Sequence, residues 1–161
     1  MEQLFLNDIH ERKYKGPMPL SKKEVLCQLA DGLEHIHSKQ LIHRDIKPAN
    51  ALIWVGSEKV FMKWADFGLS KRVNERGTCS VTGITGTMNW KAPEVLEMEE
   101  DENVDWEEQR GTTKSDVFCE GLVFAYFLLN GKHPYGSSDL RIPINILKGR
   151  IVNIEGKTCN R

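Results

Sequence analysis

Residues 21–65 restrict the fold more than any other stretch, because they spell a helix and then a hairpin with a short polar segment between them. Ser21-Lys22-Lys23-Glu24 fits the S-x-x-E capping box, in which serine and glutamate satisfy each other's backbone N–H, and Leu20 and Val25 are placed to staple it. Leu26, Leu29, Ala30, Leu33, Ile36 and His37 then recur at three- and four-residue intervals. That spacing predicts one apolar stripe on a helix running to about Ser38. Apolar runs at 51–55 and 60–65 flank Gly56-Ser57-Glu58-Lys59, which predicts two short strands joined by a turn. Gly16-Pro17-Met18-Pro19, ahead of the cap, reads as a loop.

Downstream, residues 70–87 are polar and carry Gly77, Gly83 and Gly86, so a long exposed loop is expected. Thr113 or Ser115 can cap a helix through Val117, Leu122, Val123, Phe124, Phe127 and Leu128 that ends at Asn130-Gly131, with Pro134 beyond. Apolar side chains on nearly every side predict a buried central helix. A last helix is expected from near Pro143 through Ile144, Ile146 and Leu147 to Gly149. There is no internal repeat and no heptad pattern. The expected class is mainly α within an α+β arrangement, with helices around the central one and a small β-hairpin.

The 161 residues, 40% hydrophobic and 28% charged, exclude collagen-like, mucin-like and wholly disordered classes and suffice for one domain with a real core. The net charge of −1 hides a segregation. Glu97, Glu99, Glu100, Asp101, Glu102, Asp105, Glu107 and Glu108 concentrate eight acids, and without them 15 acids face 22 bases. The acid run reads as an irregular, solvated stretch, and the +7 body suits phosphate handling rather than a general nucleic-acid coat. No direct nucleic-acid site is expected. Cys27, Cys79, Cys119 and Cys159 form no C-x-x-C pair, which predicts reduced thiols in a cytoplasmic setting. The longest apolar stretch, 122–129, falls short of the roughly 20 residues that span a bilayer, so no membrane segment is expected. The first ten residues lack the basic and apolar regions of a secretory signal.

Between the predicted helix and hairpin lies His43-Arg44-Asp45-Ile46-Lys47-Pro48-Ala49-Asn50, and Asp66-Phe67-Gly68 follows the second strand. Phosphoryl transfer needs oxygen ligands for a metal, a cation near the moving group and a carboxylate for the attacking hydroxyl. Asn50 and Asp66 are hard oxygen donors suited to magnesium, Lys47 supplies the cation, and Asp45 supplies the carboxylate. These segments, with Ala92-Pro93-Glu94 after the polar loop, resemble the catalytic apparatus of protein kinases in the family's order.

The resemblance implies a kinase-like C-terminal lobe whose hairpin carries the catalytic and metal-binding loops. It implies that Asp45 is the catalytic base, that Lys47 is the lysine of serine/threonine kinases, and that Asn50 and Asp66 hold Mg2+. Leu52 is implied to pack on the adenine of ATP, and Thr87 to brace Asp45. Arg44 resembles the arginine that pairs with a phosphorylated loop, with Ser70, Thr78, Ser80, Thr82 and Thr85 as acceptors. By the dipole rule Asp116 is a plain helix-start carboxylate; by resemblance it holds the catalytic-loop backbone. His43 and Phe67 read as packing residues, His35, His37 and His133 as structural histidines, and Trp54, Trp64, Trp90 and Trp106 as anchors. Cys119-Glu120 adds a buried carboxylate to the central helix.

The segments 63–71, 86–94 and 116–136, with Arg141 and Asn145-Ile146-Leu147-Lys148-Gly149, are similar to the inositol-requiring enzyme group of kinase/endoribonucleases. That likeness implies stress signalling, a homodimer, a protein substrate or a second copy phosphorylated in trans, and full-length relatives anchored in the endoplasmic reticulum membrane. The match is to the middle of a kinase domain. G-x-G-x-x-G is absent, no lysine before His43 sits in a V-A-I-K setting, and Arg110, Arg141, Arg150 and Arg161 offer no counterpart for the arginine that pairs with the residue matching Glu94. Residues 1–161 are therefore expected to form a partial kinase domain without the N-terminal lobe and last helices. A ribonuclease is disfavoured, since that segment would lie beyond Arg161. The alternative to a catalytic lobe is an inactive fragment that binds a partner through exposed His43, Leu52 and Phe67.

Overall fold

The computed structural model describes residues 4–5, 21–56, 59–76, 78–80, 85–100 and 110–154. The predicted first helix is α1, Lys22–Ser38. Its capping box is closed: Ser21 Oγ accepts from the Glu24 N–H at 3.3 Å, and Glu24 Oε2 accepts from the Ser21 N–H at 2.7 Å. Ser21→Ala should therefore cost about 1 kcal/mol in urea denaturation, with no change in fold. A loss below a tenth of that would show that the cap is idle.

α1 buries Val25, Leu29, Leu33 and Ile36. They pack on the hairpin of β3 (Ala51–Val55) and β4 (Val60–Trp64), the strands read from the sequence. Side chains alternate along β4, with Val60, Met62 and Trp64 inward and Phe61 and Lys63 outward. Two bonds lock helix to hairpin: Trp64 Nε1 donates to Leu29 O at 3.0 Å, and the Met62 N–H donates to Gln28 Oε1 at 2.8 Å. Gly32 permits this approach, since a Cβ there would lie 3.3 Å from the Trp64 ring. A short strand not read from the sequence, β1 (Leu4–Phe5), extends the hairpin into a three-stranded antiparallel sheet in the order β1-β3-β4.

Two expectations need correction. The stretch 70–87 is not a plain loop. β5 (Lys71–Arg72) pairs with β2 (Leu41–Ile42), and β6 (Thr78–Ser80) pairs with β7 (Arg110–Thr112). Their cause is a small core of Ile42, Val73 and Cys79, whose two loop members are too sparse to give a period. The acid run is not irregular throughout, because α2, Pro93–Glu100, carries Glu97 to Glu100. Pro93 presets the first turn, Leu96 is buried, and glutamate, leucine and methionine are good helix formers, which outweighs the charge.

α3, Thr113–Leu128, follows the predicted span, but its N-cap is Thr112, which makes no side-chain capping bond. It buries Asp116, Cys119, Glu120, Leu122, Val123 and Phe127, whereas Val117 is 54% and Leu128 48% exposed. α3 is therefore buried along one face rather than all round. Asn130, at φ 53°, takes the left-handed turn that ends the helix. α4, Ile142–Leu147, has Pro143 in its first turn as read. Leu96, Leu122, Ile142 and Ile146 form a second core that joins α2, α3 and α4.

The Leu20 staple, the loop at 16–19, Thr82, Trp106 and the acids from Asp101 onward lie outside the described residues. No described helix is long and apolar enough to cross a membrane.

Candidate active site

The segment between β2 and β3 is held from below by α3. Asp116, 2% exposed, accepts from the His43 N–H at 2.7 Å and from the Arg44 N–H at 2.9 Å, and its Oδ2 lies 3.0 Å from His37 Nε2. Arg44 needs that grip, because its φ of 71° is left-handed and unfavourable for a residue with a side chain. The alternative reading of Asp116 as a mere helix-start carboxylate is thereby set aside. His43 is fully buried, with Nε2 3.0 Å from Ala65 O. A donating Nε2–H leaves Nδ1 to accept the Asp45 N–H, a longer contact of 3.4 Å. One imidazole thus ties the residue before Asp66 to the residue after Arg44.

Three sequence-predicted groups converge on Asp45. Lys47 Nζ lies 2.6 Å from Asp45 Oδ2 and donates to Thr87 Oγ1 at 2.8 Å, while the Thr87 hydroxyl donates to Asp45 Oδ1 at 2.9 Å. The Asn50 amide nitrogen donates to Asp45 O at 2.8 Å and to Oδ2 at 3.0 Å. Burial works to raise the Asp45 carboxyl, but the bonds from Lys47, Thr87 and Asn50 together outweigh it and hold it below the ordinary carboxylate value. Asp45 is therefore an anion at neutral pH. Gly86 makes room for this contact: at φ +90°, a Cβ on it would come within 2.8 Å of Arg44 O.

Asp66 stands beside this cluster rather than in it. It is exposed, in the left-handed region at φ 62°, and among the described residues its carboxylate receives one hydrogen bond, from the Gly68 N–H at 3.3 Å. The hairpin register brings it alongside Asn50, since Ala51 pairs with Trp64 and the Ala65 N–H donates to Asn50 O at 2.9 Å. Asn50's nitrogen is spent on Asp45, so Oδ1 is the atom left to ligate. Asn50 and Asp66 thus fit magnesium as a two-residue oxygen set completed by water and phosphate. No cluster of three or more His, Cys, Asp or Glu able to hold a metal exists among the described residues.

Other expectations fare unequally. Leu52 is half-buried on the hairpin, paired with Phe5 and Lys63. Phe67 packs on His43 at 5.0 Å between ring centroids but is 47% exposed. His43 offers nothing to an exposed interface, contrary to the binding-module reading. Arg44 does have a partner, Thr85, whose Oγ1 accepts from Nη2 at 2.5 Å. Thr78 bonds Asn74 Oδ1, and the Ser70 hydroxyl reaches only His43 O, at 3.5 Å. Glu94 accepts from the Ser115 hydroxyl at 2.6 Å.

His133 is structural as read: Nε2 lies 3.0 Å from Asn89 O, Nδ1 accepts from the Tyr135 N–H, and burial pushes its pKa down to about 4. It helps line a cleft of about 530 Å3 with Asn89, Trp90 and Asp139, two residues along the chain from Thr87. The positive φ values at Arg44 and Asp66 were not legible, because both residue types adopt ordinary backbone elsewhere.

The family model for the protein kinase domain matches residues 2–158. The chain is 35% identical over 153 residues to the serine/threonine-protein kinase/endoribonuclease ire-1 of Caenorhabditis elegans, covering 89% of this chain and 14% of the relative. It is 40% identical over 137 residues to the serine/threonine-protein kinase/endoribonuclease IRE2 of Homo sapiens, covering 81% and 14%. It is 33% identical over 142 residues to the sensor for unfolded proteins in the ER ire1 of Schizosaccharomyces pombe, covering 78% and 13%. The chain spans about a seventh of the length of these relatives. Because the family model matches nearly the whole chain and each of these relatives is more than 30% identical to it, the chain belongs to the protein kinase family, with serine/threonine kinase/endoribonucleases among its relatives.

Proposed function

We propose that this chain is the C-terminal lobe, a partial domain, of an ATP- and Mg2+-dependent protein serine/threonine kinase that transfers the γ-phosphoryl group to a protein hydroxyl. The observation that supports this reading is the cluster in which Lys47, Thr87 and Asn50 each place a polar atom within 3.0 Å of the Asp45 carboxylate, with Asp66 at the same end of the hairpin. Asp45 accepts or steers the proton of the attacking hydroxyl; its anionic state and three-sided support fix where that proton goes. Lys47, with two partners, has a third N–H to offer a phosphate oxygen. Asn50 and Asp66 would hold the metal, and bound magnesium neutralises charge on the phosphate oxygens. Leu52 offers the adenine an apolar surface from β3.

The substrate is a protein serine or threonine, or a second copy of the chain acting in trans within a homodimer. The Arg44–Thr85 contact favours Thr85 as the acceptor whose phosphate would engage the guanidinium. Likeness to a sensor for unfolded proteins supports a role in stress signalling, with this portion on the cytoplasmic side.

Calorimetry tests the reading. ATP should bind the chain in a magnesium-dependent manner, and Asp66→Asn should weaken it about 10–100-fold, the range for losing a metal-site partner. No binding at millimolar ATP would sink the catalytic reading for this chain and favour the binding module.

A further inference from the structure

Glu120 is buried, 8% exposed, and the catalytic cluster does not use it. It lies one turn beyond Asp116 on α3, and both are among the buried residues of that helix. Its Oε1 is buried without a hydrogen-bond partner. The groups that act on it are His37 from α1, Asp116 on its own helix and the Trp64 indole N–H from β4. That N–H is already committed to Leu29 O, and the His37 imidazole to Asp116. Two carboxylates therefore face one imidazole, and one of them carries the catalytic-loop backbone.

We infer that Glu120 is a positioning residue for the loop that bears Asp45. Protonated, it leaves Asp116 as the sole anion between His37 and the His43 and Arg44 N–H groups. Ionised, it sets a second buried negative charge against Asp116, competes for the imidazole and loosens the hold on the loop. The titration falls in a useful range, because desolvation, aided by Asp116 and opposed by His37 and Trp64, pushes Glu120 up to about 7 from 4.5. A raised carboxyl favours the folded state below its unfolded value and loses that contribution as pH rises through the folded one. The loop is thus held hardest in mild acid and progressively less up to pH 7. The consequence for catalysis rests on the kinase reading; the clasp itself does not.

The test reads the clasp and not phosphoryl transfer, so that failure of the kinase reading leaves it intact. In NMR of the full chain, the His43 and Arg44 amide resonances should titrate with a midpoint near pH 7. Their exchange protection, corrected for intrinsic rates, should fall by up to about tenfold per pH unit between pH 5 and 7 and level off above. Glu120→Gln should flatten both. His133, pushed from 6.5 down to about 4, acts in the opposite sense between those two values, overlapping this window, and cancels in the difference between the two proteins. Titration persisting unchanged in Glu120→Gln would assign it to another group and overturn the inference. Should the variant not fold, the 13C carboxyl shift of Glu120 in the unaltered chain decides: a midpoint near 7 supports the clasp, and one near 4.5 removes it.

Discussion

Asp116→Ala should destabilise the chain by about 3–5 kcal/mol in urea denaturation, the largest single effect expected outside the hydrophobic core. The carboxylate is 2% exposed and satisfies two backbone N–H groups in addition to its contact with His37. Alanine leaves both donors buried and unpaired, at about 1–3 kcal/mol each, and frees Arg44 to leave a backbone conformation it holds only under constraint. Asp116→Asn should cost less, because its carbonyl oxygen can still accept one of the two bonds. A loss under about 1 kcal/mol for Asp116→Ala would mean that the loop keeps its shape by other contacts.

Asp45→Asn should lower phosphoryl transfer to a protein substrate by about 10²–10⁴-fold while leaving magnesium-dependent ATP binding largely intact. Asparagine is close in shape and can still accept from Thr87, so the loop should persist. What disappears is the anion that receives the hydroxyl proton and that pairs with Lys47 at 2.6 Å. Parallel measurements of transfer and ATP affinity separate the roles: affinity lost together with transfer would reassign Asp45 to nucleotide binding. This separation matters because Asp66→Asn is expected to act in the opposite order, on affinity first.

Much of this site was legible before the structure, for a physical reason. Asp45, Lys47 and Asn50 sit within six residues, so their mutual proximity needs only a tight loop. The capping box and the hairpin were legible for the same reason, since both depend on neighbours in the chain. The strands inside 70–87 were not, because each pairs with a partner elsewhere in the chain: β5 with β2, and β6 with β7. Helix α2 was missed because a run of like charge outweighed its proline start and single buried leucine.

Long-range contacts divide along the same line. The sequence determined which groups could do chemistry: a carboxylate, a lysine and two oxygen ligands flanking a hairpin. The resemblance implied that Thr87 braces Asp45 and that Asp116 holds the loop backbone, whereas only the tertiary structure decided that Lys47 also bonds Thr87, that Thr85 is the acceptor that meets Arg44, and that His37 joins Asp116 in the clasp. Those pairs lie 40 to 79 residues apart, brought together by burying α1, α3 and the hairpin against one another. Local pattern carries no information about which buried faces meet, so neither His37's part in the loop's support nor the unpartnered Oε1 of Glu120, whose burial alone was expected, could be read from the chain.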